Sequence, residues 1–181
     1  AMTITGCHVM AKPTGSVCNI DCTYCFYLEK EALYPERNTL WRMSDETLER
    51  YICQHIDAQS GDNVTFAWQG GEPTLCGIDF FHRVVALQKQ YGEGKQIHNA
   101  FQTNGILLND EWCQFLRDNG WLVGISLDGP AELHDAYRVN RSGKPTHHKV
   151  VDAIARLREH QVEFNLLVVV NSLNSQRPGQ M

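Results

Sequence analysis

Short β-branched runs alternate with longer amphipathic segments along almost the whole chain, and this βαβα order restricts it most, implying a parallel sheet with helices packed outside it. The strand candidates are His8 to Lys12, Val64 to Trp68, Gln96 to Gln102, Leu122 to Leu127 and Glu163 to Val170. The last ends in successive apolar residues and reads as fully buried. A first helix is expected from Asp45 to about Ala58, with Ser44 and Thr47 supplying capping character. A second runs from Ile78 to Tyr91, where Phe80, Phe81, Val84, Val85 and Leu87 recur at helical spacing and Gly92 stops it. Asn109 or Asp110 caps a third, ended by Asn119-Gly120, and a fourth spans Thr146 to His160. From Asn171 onward the sequence is polar and aperiodic.

The 181 residues suit one domain, and 43% hydrophobic with 20% charged residues is the balance of a soluble globular protein. A net charge of -5 without a basic patch argues against nucleic-acid or anionic-membrane partners. The longest apolar run, Leu166 to Val170, is far too short to span a bilayer. Of the seven cysteines, Cys7, Cys53, Cys76 and Cys113 are scattered rather than arranged as a disulfide framework, so a reducing cytoplasm is the expected compartment. Cys76 reads as an inert thiol, His147 and His148 as surface residues, and Trp41, Trp112 and Trp121 as packing residues.

The notable polar groups all fall at the carboxyl ends of these strands, the rim where parallel α/β folds bind ligands. After the first strand comes Cys18-x3-Cys22-x2-Cys25. Ordinary ferredoxin clusters take four cysteines, so three on a short loop can ligate an iron-sulfur cluster and leave one iron open. A closed zinc site needs a fourth protein ligand, and no Cys or His follows at finger-like spacing. After the second strand, Gln69-Gly70-Gly71-Glu72-Pro73 combines glycines that permit close backbone approach to a ligand with a proline that fixes the turn. Gln102-Thr103-Asn104-Gly105 follows the third strand and Ser126-Leu127-Asp128-Gly129-Pro130 the fourth. Ser126 as a hydroxyl donor and Arg138 as a guanidinium fork suit a carboxylate ligand, whereas Asp128 fits either turn initiation or substrate contact.

Lys12-Pro13-Thr14, the cysteine triplet with Tyr24 inside it, Phe26-Tyr27-Leu28-Glu29-Lys30, the three loop motifs above and His134-Asp135-Ala136-Tyr137-Arg138 together resemble the anaerobic sulfatase-maturating enzymes. These are radical S-adenosylmethionine (SAM) proteins that include the bacterial arylsulfatase regulators. The resemblance covers nearly all of residues 8 to 171. It implies a partial (β/α)6 barrel in which Cys18, Cys22 and Cys25 bind a [4Fe-4S] cluster and SAM chelates the open iron. Reductive cleavage of SAM then gives a 5'-deoxyadenosyl radical that removes a Cβ hydrogen from a sulfatase Cys or Ser on the way to Cα-formylglycine.

Carried over by position, Tyr24, Gly70, Gly71, Glu72, Ser126 and Arg138 are the expected SAM-site residues. Tyr27, Gln69, Asn104 and Asp128 are the expected substrate-side residues. The resemblance also implies an electron donor such as flavodoxin or ferredoxin. The family continues with a sixth strand and a cysteine-rich domain that carries two auxiliary clusters and a general-base aspartate. Residues 1–171 are therefore expected to form an incomplete barrel and 172–181 a polar tail at a truncation point. The base is then expected beyond Met181, and the exposed edge of the fifth strand invites a non-native dimer. Two other readings stay open: a related radical SAM enzyme that cross-links or epimerises a peptide, and a catalytically incompetent regulator that binds a sulfatase.

Overall fold

The computed structural model describes residues 7–30, 33 and 41–181. Five parallel strands form the main sheet in the order β1 (Met10–Ala11), β3 (Asn63–Trp68), β4 (Gln96–Thr103), β5 (Leu122–Ser126) and β7 (Phe164–Leu167). Spatial order thus follows chain order, as expected of one arc of a βα barrel. The pairings run from Met10↔Ala67 through Val64↔Ile97 and Phe101↔Val123 to Ile125↔Leu166.

Between the strands lie α2 (Asp45–Asp57), α3 (Ile78–Tyr91), α4 (Asp110–Asp118) and α6 (His147–Glu159). Their ends are set by local chemistry. Ser44 Oγ accepts from Thr47 N at the start of α2, and Asn109 Oδ1 accepts from Trp112 N at the start of α4. Gly92 closes α3 by donating its N–H to Gln88 O.

One sheet face alternates inward through Val64, Phe66 and Trp68, then Phe101, then Val123 and Ile125, all at most 1% exposed. Against it pack Leu48 and Ile52 of α2, Phe81, Val84 and Leu87 of α3, Leu116 of α4 and Leu157 of α6. Phe81 sits edge-on to Trp68, Phe101, Trp112 and Trp121, with ring centroids 5.1–5.9 Å apart. Trp112 and Trp121 are thus core residues, as expected, and Cys76 is buried.

Two expectations need correction. The final strand is not fully buried: Leu166 is 50% exposed and Val170 beyond it 75%. The run lies at the sheet edge, with β5 on one side and no further strand among the described residues on the other, so its apolar character does not translate into burial. The final segment is also less featureless than its composition suggests. Asn174 is buried, and Pro178–Gln180 form a 3₁₀ turn. Three short elements carry no periodicity and escape sequence reading: α1 (Phe26–Lys30), α5 (Ala131–His134) and an antiparallel ribbon of β2 (Ile20–Cys22) with β6 (Arg138–Asn140). No helix among the described residues is long and apolar enough to cross a membrane.

Candidate functional site

The cysteine loop is built first by turns, Gly15 N donating to Lys12 O and Val17 N to Thr14 O, and then by contact with the loop after β3. Gly71 N donates to Gly15 O and Glu72 N to Val17 O, both at 2.9 Å. A Cβ on Gly71 would stand 2.1 Å from the Val17 carbonyl oxygen. The glycine is required by this chain's own backbone as well as by any ligand in front of it.

Beyond Cys18 the chain enters the ribbon, where Cys22 pairs with Arg138 and Thr23 N donates to Tyr137 O. Cys25 N then donates to Cys22 O, turning the third thiol back. Cys18, Cys22 and Cys25 consequently line one cavity of about 350 Å³. Burial pushes the Cys18 thiol up to about 12, against the Ile20 backbone N–H that favours its thiolate. Burial likewise raises Cys22 to about 11, partly offset by the positive charge of Arg138. Binding a metal group through these sulfurs would displace their protons. Among the described residues no three His, Cys, Asp or Glu side chains converge on a single metal ion. Three thiols lining one cavity would suit an iron-sulfur cluster, which cysteine thiolates hold.

Ser126, Arg138 and Tyr24 line the same cavity, Arg138 beside Cys22 across the ribbon. Arg138 is 7% exposed and donates through Nε to Asp128 Oδ2 at 2.9 Å and through Nη2 to Oδ1 at 3.2 Å. Tyr24 OH also donates to Asp128 Oδ2, and Val169 N to Oδ1 at 2.9 Å. Burial alone would raise the Asp128 pKa, but Arg138, Tyr24 and Val169 together hold it below its ordinary value. Behind this group, Asp128 N donates to His134 Nδ1. His134 Nε2 lies 3.1 Å from Thr146 Oγ1, whose own hydrogen goes to Arg138 O. His134 Nε2 must therefore be the donor in its pair, which fixes a neutral tautomer. Burial, then the charge of Arg138, lowers its pKa to about 4.

Of the expected residues, Tyr27, Gln69, Gly70, Gly71 and Asn104 also line the cavity. Gln69 Nε2 donates to Gln102 Oε1, and Lys12 Nζ stands 5.1 Å from the centroid of the Tyr27 ring. Glu72 and Asp128 do not line it; both are 0% exposed, because their carboxylates are engaged by protein donors. Glu72 Oε1 accepts from Thr74 N, Thr74 Oγ1 and Thr103 Oγ1, and Oε2 from Asn104 N at 2.8 Å. Burial raises its pKa against these donors. Sequence reasoning did not assign Ile20, Phe26 and Val169 to the site, though all three line it. The position of Phe26 beside Cys25 was the available signal; Val169 offered none, because its apolar run reads as core.

The chain matches the family model described as the Radical SAM superfamily over residues 13–179. It is 50% identical over 171 residues to a serine-type anaerobic sulfatase-maturating enzyme of Bacteroides thetaiotaomicron, covering 94% of this chain and 41% of that protein. To a cysteine-type anaerobic sulfatase-maturating enzyme of Clostridium perfringens it is 41% identical over 167 residues, covering 91% of this chain and 44% of that one. The chain thus spans less than half the length of these relatives. A solved structure of native anSMEcpe with bound AdoMet and Cp18Cys peptide superposes with a TM-score of 0.85 at 37% identity, over 95% of this chain and 45% of that one.

Proposed function

Because this chain belongs to the radical SAM superfamily, we propose that Cys18, Cys22 and Cys25 hold a [4Fe-4S] cluster and that SAM lies in the same cavity against Tyr24, Gly70, Gly71, Ser126 and Arg138. The observation that carries this reading is the convergence of all three thiols with those five residues on one cavity. When bound, cluster and SAM together supply the one-electron chemistry that removes a hydrogen atom from an unactivated carbon. The chain's own residues bind, orient and exclude water. Arg138, held side-on by Asp128, keeps a positive charge on the wall that suits the SAM carboxylate. Ser126 adds a hydroxyl beside it. Ile20, Phe26 and Val169 make part of the lining apolar.

The reaction we assign to a protein of the relatives' full length is oxidation of a sulfatase Cys or Ser to Cα-formylglycine, with Tyr27, Gln69 and Asn104 toward the peptide. The sulfatase-maturating names of both relatives and the peptide bound to the structural neighbour support it. A flavodoxin or ferredoxin in the cytoplasm is the electron source. We take the barrel segment to extend to residue 171, and the exposed β7 edge to favour self-association. Anaerobic reconstitution should give about four irons per chain and a SAM-dependent change in the cluster spectrum. A Cys18→Ala variant that keeps the full cluster spectrum would overturn the cluster assignment. For the substrate, mass spectrometry of a Cys-x-Pro-x-Arg peptide treated with a protein of the relatives' full length should show formylglycine, and an unmodified peptide would refute it.

A further inference from the structure

At the carboxyl end of β4, Asn104 is 7% exposed, and its backbone N–H and both polar ends of its side chain are engaged. Its backbone N–H donates to Glu72 Oε2 at 2.8 Å, and its side-chain Oδ1 accepts from Ile106 N at 3.0 Å. Its Nδ2 donates to Asn19 Oδ1 at 2.7 Å and lies 3.7 Å from Cys18 Sγ. The Ile106 N–H settles which end of the amide faces the cysteine. Were the amide turned over, its NH₂ would meet that N–H donor to donor, so the oxygen must point to Ile106 and the nitrogen to Cys18. An amide NH₂ carries two hydrogens, and here one goes to Asn19 and the other to sulfur. Arg141 Nε adds a second donor to the same residue, 3.1 Å from the Cys18 carbonyl oxygen.

We propose that Asn104 is a positioning residue for the cluster: its N–H···S bond to Cys18 stabilises the more negative reduced state and thereby raises the reduction potential. Hydrogen bonds to ligating sulfurs are among the levers that set iron-sulfur potentials, and such outer partners tune a metal site without touching the metal. The inference rests on the cluster reading above, and it gives Asn104 a task distinct from contact with the peptide.

The test is a potentiometric titration, read by electron paramagnetic resonance without SAM, of the reconstituted wild-type chain and two variants. In Asn104→Ser the shorter hydroxyl can still accept from Ile106 N but cannot reach the sulfur. In Asn104→Asp the shape and the turn acceptor are kept while the donor is lost. At unchanged iron content, the midpoint should move negative in Asn104→Ser and further in Asn104→Asp. Because Asn104→Asp also brings a negative charge that moves the midpoint the same way, the neutral Asn104→Ser decides, with the neutral Asn104→Thr in its place if Asn104→Ser takes up no iron. Variants that titrate at the wild-type potential, whether or not they load less iron, would leave Asn104 a purely structural residue and overturn the inference. A wild-type chain that takes up no four-iron cluster overturns instead the functional reading on which it rests, so the two failures are told apart.

Discussion

Replacing Gly71 by alanine tests whether the cysteine loop and the loop after β3 were shaped by each other. The new Cβ would stand 2.1 Å from the Val17 carbonyl oxygen, 2.5 Å from its carbonyl carbon and 2.6 Å from the Ser16 oxygen. All three are backbone atoms, so no side chain can swing aside, and the two loops must part by roughly 1.3 Å or more to reach ordinary contact distance. That parting stretches the two bonds that join them, Gly71 N to Gly15 O and Glu72 N to Val17 O. Losing both costs about 1–3 kcal/mol, and residual overpacking adds about 1–3 kcal/mol, for a total of about 2–6 kcal/mol. At about 2–4 °C per kcal/mol for a chain of this size, Tm should fall by roughly 10 °C. Gly61 is the control: a Cβ there meets nothing within 4 Å, and Gly61→Ala should stay within about 1 kcal/mol of wild type. Urea and thermal unfolding followed by far-ultraviolet circular dichroism measure both variants. Iron content after reconstitution gives a second readout, because the displaced Val17 immediately precedes Cys18. A Gly71→Ala protein within 1 kcal/mol of wild type that still loads full iron would refute the argument.

Acidification should destabilise the fold through His134, whose pKa falls from 6.5 to about 4 on folding. Below pH 6.5 the unfolded chain binds a proton that the folded chain refuses, so stability declines between those values by at most ~3 kcal/mol. Urea midpoints at several pH values check this, and a His134→Gln variant with the same decline would refute it. Asp128→Asn leaves the buried Arg138 guanidinium without its counter-charge and should cost about 3 kcal/mol. It should also weaken SAM binding in calorimetry, whereas wild-type stability and affinity would refute the role of Asp128. If the β7 edge drives self-association, Leu166→Lys should shift the chain toward monomer in sedimentation velocity; an unchanged distribution counts against that edge.

The parts of the fold legible in the sequence are those whose signal is local. Helix α3 shows its apolar stripe and its closing glycine within one segment, and its observed bounds, Ile78–Tyr91, match the expectation. Ser44 and Asn109 announce helix starts by side-chain chemistry that needs no tertiary partner. β7 misleads because an apolar run looks the same at a sheet edge as at its centre, and only the presence of a neighbouring strand decides between them. The two carboxylates mislead for a related reason. Glu72 and Asp128 sit in loops that face the cavity, yet donors from other loops turn both side chains inward.

The β2–β6 ribbon shows most clearly how the site depends on contacts that sequence order hides. Neither three-residue strand has a pattern of its own, and each forms because the other is present. Through the pair Cys22↔Arg138, the ribbon brings the guanidinium held by Asp128 to the backbone of a cysteine from the triplet. The Asp128 carboxylate is held in turn by Val169 N from the final segment and by Tyr24 from the cysteine loop. One carboxylate therefore ties the cysteine loop, the ribbon and the last strand segment together. A perturbation at any of the three should be felt at the others, since breaking a buried charge pair costs more than any single neutral hydrogen bond around it. The cysteine spacing can be read from one short stretch, but the cavity around it exists only after the carboxyl ends of β3, β4 and β5, the ribbon and the segment after β7 have met.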